Sequence, residues 1–200
     1  RFSDLLVTQT LSIGMERVKD IIFPALVELL RQDGQEIRGI FERNDVAIRE
    51  LEGMAQNKGW YVLPGETPPE SPVTEICENG VSYAVDVENG QKTGFFLDQK
   101  YNRLAVARLA KGKRVLDCFT HTGSFALNAA MGGAAHVTAV DVSASAIEMA
   151  RQNARRNGLE DRMDFITADV FDLLPELAAQ GKAPYDFIIL DPPAFTKSRK

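Results

Sequence analysis

Val115-Leu116-Asp117-Cys118-Phe119-Thr120-His121-Thr122-Gly123-Ser124-Phe125-Ala126 is the stretch that decides the fold. It holds a short apolar run, an acid, a loop with one glycine, and then small and apolar residues. The run up to Cys118 reads as a buried strand, and Ser124 to Met131 as the helix that follows it. The same rhythm recurs downstream. Val137 to Val140, Met163 to Thr167 and Phe187 to Leu190 are strand candidates, separated by helical patterns over Ala144 to Asn157 and Val170 to Gln180. Ser143 or Ser145 caps the middle helix, Glu148 stands three after Ser145, and Asn157-Gly158 stops it. Buried strands alternating with helices predict an α/β fold with a parallel sheet and right-handed crossovers.

In an open parallel sheet, ligands bind outside the carboxyl ends of the strands. Asp117, Asp141, Asp169 and Asp191 stand at or near those ends. A single such Asp commonly does no more than cap the next helix, but four in succession, one per βα unit, argue for a shared ligand. The first loop has neither GxGxxG nor the Gly-Lys-Ser/Thr of a phosphate-cradling loop. It begins with a carboxylate, which suits a ligand that has no phosphate and a cationic amino-acid end. S-adenosylmethionine answers that description.

Residues 1 to about 92 have a different pattern, α+β. Phe2 to Thr10 alternates loosely as a strand would. Met15 to Arg31 carries apolar residues at helical spacing on one broad face, with Pro24 expected to kink it. Ile37 to Phe41 is a short strand candidate, and the Pro-rich run Leu63 to Pro72 must be a loop. Glu75 to Cys77 and Val81 to Val87, split by Asn79-Gly80, predict a hairpin with a type I′ turn. The expected organisation is therefore a small domain over 1–92, possessing an RNA-facing surface if the substrate is RNA, and a second domain over 93–200.

The net charge of −5 is unevenly spread, −7 over residues 1–92 and +2 over 93–200, so it does not exclude a nucleic-acid partner. No apolar run is long enough to cross a bilayer. Cys77 and Cys118 lack metal-ligand spacing, no metal is expected, and a reduced cytoplasmic setting fits. The chain reads as a fragment cut at both ends, its sheet truncated after the fourth strand. A homodimer or a longer polypeptide would cover the strand edge so exposed.

With these residues in view, the sequence resembles the class I (Rossmann-like) S-adenosylmethionine-dependent methyltransferases. Asp117 to Gly123 matches their motif I, which implies that Asp117, Phe119, Thr120 and Gly123 line the methionine part of the cofactor. Asp141 matches the acid that chelates both ribose hydroxyls, with Val142 beside it, and Asp169 the acid facing the adenine amino group. Asp191-Pro192-Pro193-Ala194-Phe195 matches motif IV, where the methyl group meets the target base. The run Gly90-Gln91-Lys92-Thr93-Gly94-Phe95-Phe96-Leu97-Asp98-Gln99-Lys100-Tyr101-Asn102-Arg103, with Gly39-Ile40-Phe41-Glu42-Arg43, is similar to a bacterial 23S rRNA (cytosine-5-)-methyltransferase family. That resemblance implies a PUA domain, then a small α+β domain, then the methyltransferase domain, acting on large-subunit ribosomal RNA. It also implies that Gln99 and Arg103 sit beside the cofactor; taken alone, they read as a solvated helix face.

Cytosine C5 chemistry in such enzymes needs a cysteine thiolate added at C6, which makes C5 nucleophilic, on a base flipped or unpaired. Cys118 reads as a buried small hydrophobe and Cys77 has no case, so the nucleophile is expected in a later motif beyond Lys200. Phe195 would stack on the base or pack under its loop. His121 stands where the family usually has an aromatic and reads as a loop residue or a base. Arg43 and Arg49 would touch RNA or pair with nearby acids. Two rivals remain: an rRNA guanine methyltransferase with the same cofactor site, which has a similar FLDQ-type segment, and a non-catalytic RNA-binding scaffold.

Overall fold

The computed structural model describes residues 1–90, 92–181 and 184–193. Two compact units emerge: Arg1–Ile76 with Ala84–Leu97, and Cys77–Tyr83 with the chain from Asp98 onward.

The first unit has a β-α-β pattern that sequence periodicity only half discloses. Strand β1 (Leu5–Thr8) leads through helix α1 (Ile13–Gln32) to the parallel strand β2 (Gly39–Asn44), then by the short helix α2 (Ile48–Leu51) to strand β3 (Asn57–Tyr61), antiparallel to β2. Ser12 caps α1 by accepting from the Met15 N–H, and the helix runs through Pro24 as one element. The broad apolar face expected of α1 is only partly used. Phe23 and Val27 are buried, with Leu6, Ile37, Ile40 and Leu63, whereas Ile21 is 73% exposed. Strand β2 is buried along its whole length although it carries Glu42, Arg43 and Asn44. Lys19 pairs with Glu42 at 3.0 Å and with Glu16 at 2.8 Å, and Arg49 with Glu16 at 3.0 Å. Burial alone would raise the Glu16 carboxyl, but hydrogen bonds from Lys19, Thr10 and Arg49 outweigh it and hold the group at about 2. Arg43 and Arg49, candidates for RNA contact, are 8% and 3% exposed and committed to Asp45 and Glu16.

The expected hairpin is present as β4 (Val73–Glu78) and β5 (Val81–Asp86), and Asn79 and Gly80 both have positive φ, 55° and 80°, as a type I′ turn requires. Its tip, Cys77–Tyr83, belongs to the second unit.

That unit continues with α3 (Lys100–Leu109), β6 (Arg114–Cys118), α4 (Ser124–Met131), β7 (His136–Asp141), α5 (Ala144–Arg156), β8 (Met163–Thr167), α6 (Val170–Ala179) and β9 (Phe187–Leu190). The four strands form one parallel sheet in the order β8-β7-β6-β9. Successive strands step outward from β6 to β7 to β8, and β9 then returns to the other side of β6. The crevice above β6 and β9 is thus the point where the winding reverses, and such points gather ligands. Core residues along β6 and β7, among them Val115, Leu116, Val137, Ala139 and Val140, are fully buried between the helices. Among the described residues β9 lies at an edge, with Ile188 48% and Leu190 59% exposed.

Candidate functional site

Pairing register brings the four acids to one side. Asp117 is opposite Ala139 in β7 and Ile189 in β9. Side chains alternate along a strand, so Asp141 and Asp191, each two residues further on, share the face of Asp117. Asp141 is opposite Thr167, and Asp169 again lies two residues beyond. The sequence spacing of the acids therefore becomes a row along the carboxyl edge of the sheet.

Each acid is held differently. Asp117 is 1% exposed; its Oδ2 accepts the Thr120 hydroxyl at 2.6 Å and the Ala126 N–H at 2.9 Å. Burial, with Asp191 and Asp141 adding like charge, pushes its carboxyl up to about 7 against the lowering effect of those two hydrogen bonds. Asp141 is half-buried, and its two oxygens are used symmetrically: Oδ2 accepts the His121 N–H at 2.8 Å and Oδ1 the Ser143 N–H at 2.9 Å. Asp169 is exposed and caps α6 through the Phe171 N–H at 2.8 Å. Asp191, Pro192 and Pro193 are exposed just past β9, while Phe195 lies outside the described residues.

The loop between β6 and α4 is an unusual piece of backbone. Phe119, His121 and Gly123 have φ of 61°, 50° and 84°, left-handed values that side chains other than glycine rarely adopt. Hydrogen bonds hold it there: Thr120 N–H to Val140 O at 2.9 Å, Gly123 N–H to Thr120 O at 2.9 Å, and Asn153 Nδ2 to Thr122 O at 3.2 Å. A Cβ on Gly123 would also come within 2.9 Å of the Ala150 Cβ. Two left-handed non-glycine residues cost roughly 1–2 kcal/mol each, and strain held by its surroundings is typical of ligand loops. Val142 is 72% and Phe171 63% exposed, and Phe171 meets Phe119 edge-on with centroids 6.2 Å apart. This leaves apolar surface beside Asp141 and Asp169. Burial lowers the His121 imidazole below its ordinary value, against the pull of Asp141.

Gln99 is half-buried before the first turn of α3 and accepts from Asn102 at 2.6 Å. Arg103 is neither solvated nor on an open face. It is 1% exposed, with Nε 2.6 Å and Nη2 3.0 Å from the two oxygens of Glu78 on the hairpin tip. Around it runs a buried polar set that the sequence reading did not single out. Asn128 donates to the Tyr83 hydroxyl at 2.6 Å and to Ser124 O at 2.8 Å, and Asn157 joins both backbone groups of Ser82, at 2.9 and 2.7 Å. One signal was available: an Asn in the middle of a short apolar helix, α4, is costly unless it has partners.

An enclosed acid, a doubly anchored acid and apolar surface at the winding reversal suit an organic ligand with hydroxyls and positive charge. Comparisons agree with that chemistry. A family model described as S-adenosylmethionine-dependent methyltransferase matches residues 60–199. The ribosomal RNA large subunit methyltransferase I of Aeromonas salmonicida (strain A449) is 47% identical over 199 residues, 99% of this chain and 48% of the relative. The chain thus spans about half the length of the curated relatives it matches. Among solved structures, a Streptococcus mutans protein assigned as a sam-dependent methyltransferase superposes with a TM-score of 0.76 at 28% identity, over 97% of this chain and 47% of that one. SMU.776, assigned as a methyltransferase and complexed with SAH, gives 0.78 at 27% identity, over 98% and 47%. With the family match spanning more than half the chain and covering every strand of the parallel sheet, this protein belongs to the S-adenosylmethionine-dependent methyltransferases.

Proposed function

We propose that the chain is the cofactor-binding part of an RNA methyltransferase that places a methyl group on C5 of a cytosine in large-subunit ribosomal RNA. The double anchoring of Asp141 carries the cofactor half of this reading. Each carboxylate oxygen accepts one backbone N–H, so each keeps a lone pair for one hydroxyl of a ribose. Asp117 and the loop through Phe119, Thr120 and Gly123 line the methionine end. Val142 packs on the adenine, and Asp169 accepts from its amino group. When bound, S-adenosylmethionine supplies an electrophilic methyl group. Asp191, Pro192 and Pro193 mark where the base approaches, with Phe195 stacking on it. Gln99 stands at the cofactor, and Arg103 serves it through the ion pair with Glu78.

Ribosomal RNA as substrate is supported by what the Aeromonas relative is named for, and cytosine C5 by the sequence resemblance. A C5 transfer requires a thiolate that neither cysteine here suits. Cys118 is fully buried, and burial and then Asp117 push its thiol up to about 11; Cys77 is exposed on the hairpin strand. The nucleophile is assigned to a part of the polypeptide that this chain does not cover, within the relatives' greater length.

Calorimetric titration with S-adenosylhomocysteine tests the cofactor half. Asp141→Ala removes two charge-assisted hydrogen bonds and is expected to weaken binding by about a hundredfold or more, whereas Asp141→Asn, which keeps one acceptor, costs about tenfold. NAD gives no heat. Equal affinity for wild type and Asp141→Ala would sink the assignment. For the substrate half, the longer polypeptide incubated with 23S rRNA and labelled donor should place its label on cytosine C5, and label on guanine would replace that reading.

A further inference from the structure

The buried face of α5 carries Ala146, Ile147, Ala150 and Ala154, all apolar, and one carboxamide, Asn153, which has no exposed surface. An amide in that position is costly unless each end is satisfied, and here each is. Nδ2 donates to the Thr122 carbonyl at 3.2 Å, and Oδ1 accepts from Arg156 at 3.4 Å. The backbone of Asn153 is fixed as well. Its carbonyl accepts from Asn157 Nδ2 at 2.7 Å, and the same nitrogen reaches Ser82 O on the hairpin tip at 2.7 Å. The donor that meets the β6–α4 loop therefore stands on a braced turn of helix.

Thr122 lies between two left-handed residues, His121 and Gly123. Fixing its carbonyl fixes the turn around it, and with the turn the direction of the His121 N–H. That N–H donates to Asp141 Oδ2 at 2.8 Å, one of the two bonds that set how the Asp141 carboxylate faces the crevice. Ala150, one helical turn before Asn153, adds a steric seat, since the loop approaches it so closely that Gly123 has no room for a Cβ. Helix α5 thus holds the loop at two points, and only the Asn153 point grips it by a hydrogen bond to its carbonyl.

We propose that Asn153 is a positioning residue for the cofactor: by holding the Thr122 carbonyl it keeps the loop in its binding shape and, through the His121 N–H, keeps Asp141 aimed at the ribose. This inference rests on the cofactor reading above and adds to it a residue that acts only through the loop. The gain is preorganisation, because a loop already in shape needs no further ordering when the ligand arrives. It also gives the clip between Asn157 and Ser82 a purpose, which is to steady the turn from which Asn153 reaches out.

Two measurements on the 200-residue chain test it. Calorimetry with S-adenosylhomocysteine should find Asn153→Ala weakened about fivefold to tenfold, the size of one hydrogen bond. Adding Asn153→Ala to Asp141→Ala should bring no further loss, since the asparagine acts through that carboxylate. Hydrogen exchange of the ligand-free chain reads the loop directly. The Thr120, His121 and Gly123 amides, each of which donates in the structure, should be protected in wild type and exchange faster in Asn153→Ala, with the β6 and β7 amides unchanged. A merely structural asparagine would speed exchange across the whole sheet and leave the affinity of the folded chain alone. Unchanged affinity in Asn153→Ala, or the same fold loss with and without Asp141, would overturn the positioning role and leave the cofactor reading intact. Unprotected loop amides in ligand-free wild type would overturn it too, a result independent of whether any variant folds. If wild type binds no S-adenosylhomocysteine, the cofactor reading falls and takes this inference with it.

Discussion

Glu78→Ala is expected to destabilise the second unit by about 3–5 kcal/mol, the range for stripping one partner from a buried ion pair. The reason is what the substitution leaves behind. Arg103 is 1% exposed and Glu78 7%, with two short hydrogen bonds between them. Alanine would take from an enclosed guanidinium, on a helix packed against α4, the carboxylate that accepts both of these hydrogen bonds. Replacing both residues, as Glu78→Leu with Arg103→Met, should restore most of the loss, since an apolar pair of similar volume needs no solvation. Hydrogen exchange at the β6 and β7 amides reads the effect directly; protection unchanged in Glu78→Ala would show that the pair is idle.

Gly132→Ala is expected to cost about 3 kcal/mol, at the upper end for overpacking. A Cβ there would lie 2.1 Å from the Ala107 carbonyl oxygen and within 2.7 Å of its C and Cα. These are backbone atoms of α3, so no side chain can swing aside, and α3 and α4 must separate. The backbone at Gly132 is right-handed, φ −71°, which leaves crowding as the whole cost. Gly158→Ala provides the contrast. Its φ is 65° and nothing lies within 4 Å, so about 1–2 kcal/mol of left-handed strain is all that is expected. Urea unfolding followed by far-UV circular dichroism separates the two; equal losses would contradict the crowding argument.

The second unit was legible because each strand of a buried parallel sheet is a short apolar run, and here an acid stands at or just past its end. Met163–Thr167 and Phe187–Leu190 match their expected bounds, and Ser124–Met131 begins and ends where its pattern does. The first unit was less so. β3, Asn57–Tyr61, is polar and half-exposed, and what makes it a strand is its pairing with β2, such as Ile40 with Tyr61, far along the chain. Pro24, expected to kink α1, lies inside one continuous helix, since a proline removes one hydrogen bond without ending an otherwise well-anchored helix. The acids of the candidate site could be found because their meaning lies in position relative to strand ends. The role of Arg103 could not, because a charge gives no sign of which partner, 25 residues away, will enclose it.

The hairpin tip also sets an order of events during synthesis. Ser82 is made 75 residues before Asn157, the side chain that joins both of its backbone groups. At ribosomal speeds of about 5–20 residues per second, the tip spends about 4–15 s without that partner. Glu78 meets Arg103 much sooner, after only 25 residues. The nascent chain therefore closes its ion pair first and holds a half-finished seam until the middle of the sheet arrives, an interval in which a chaperone or a wrong strand has access to it.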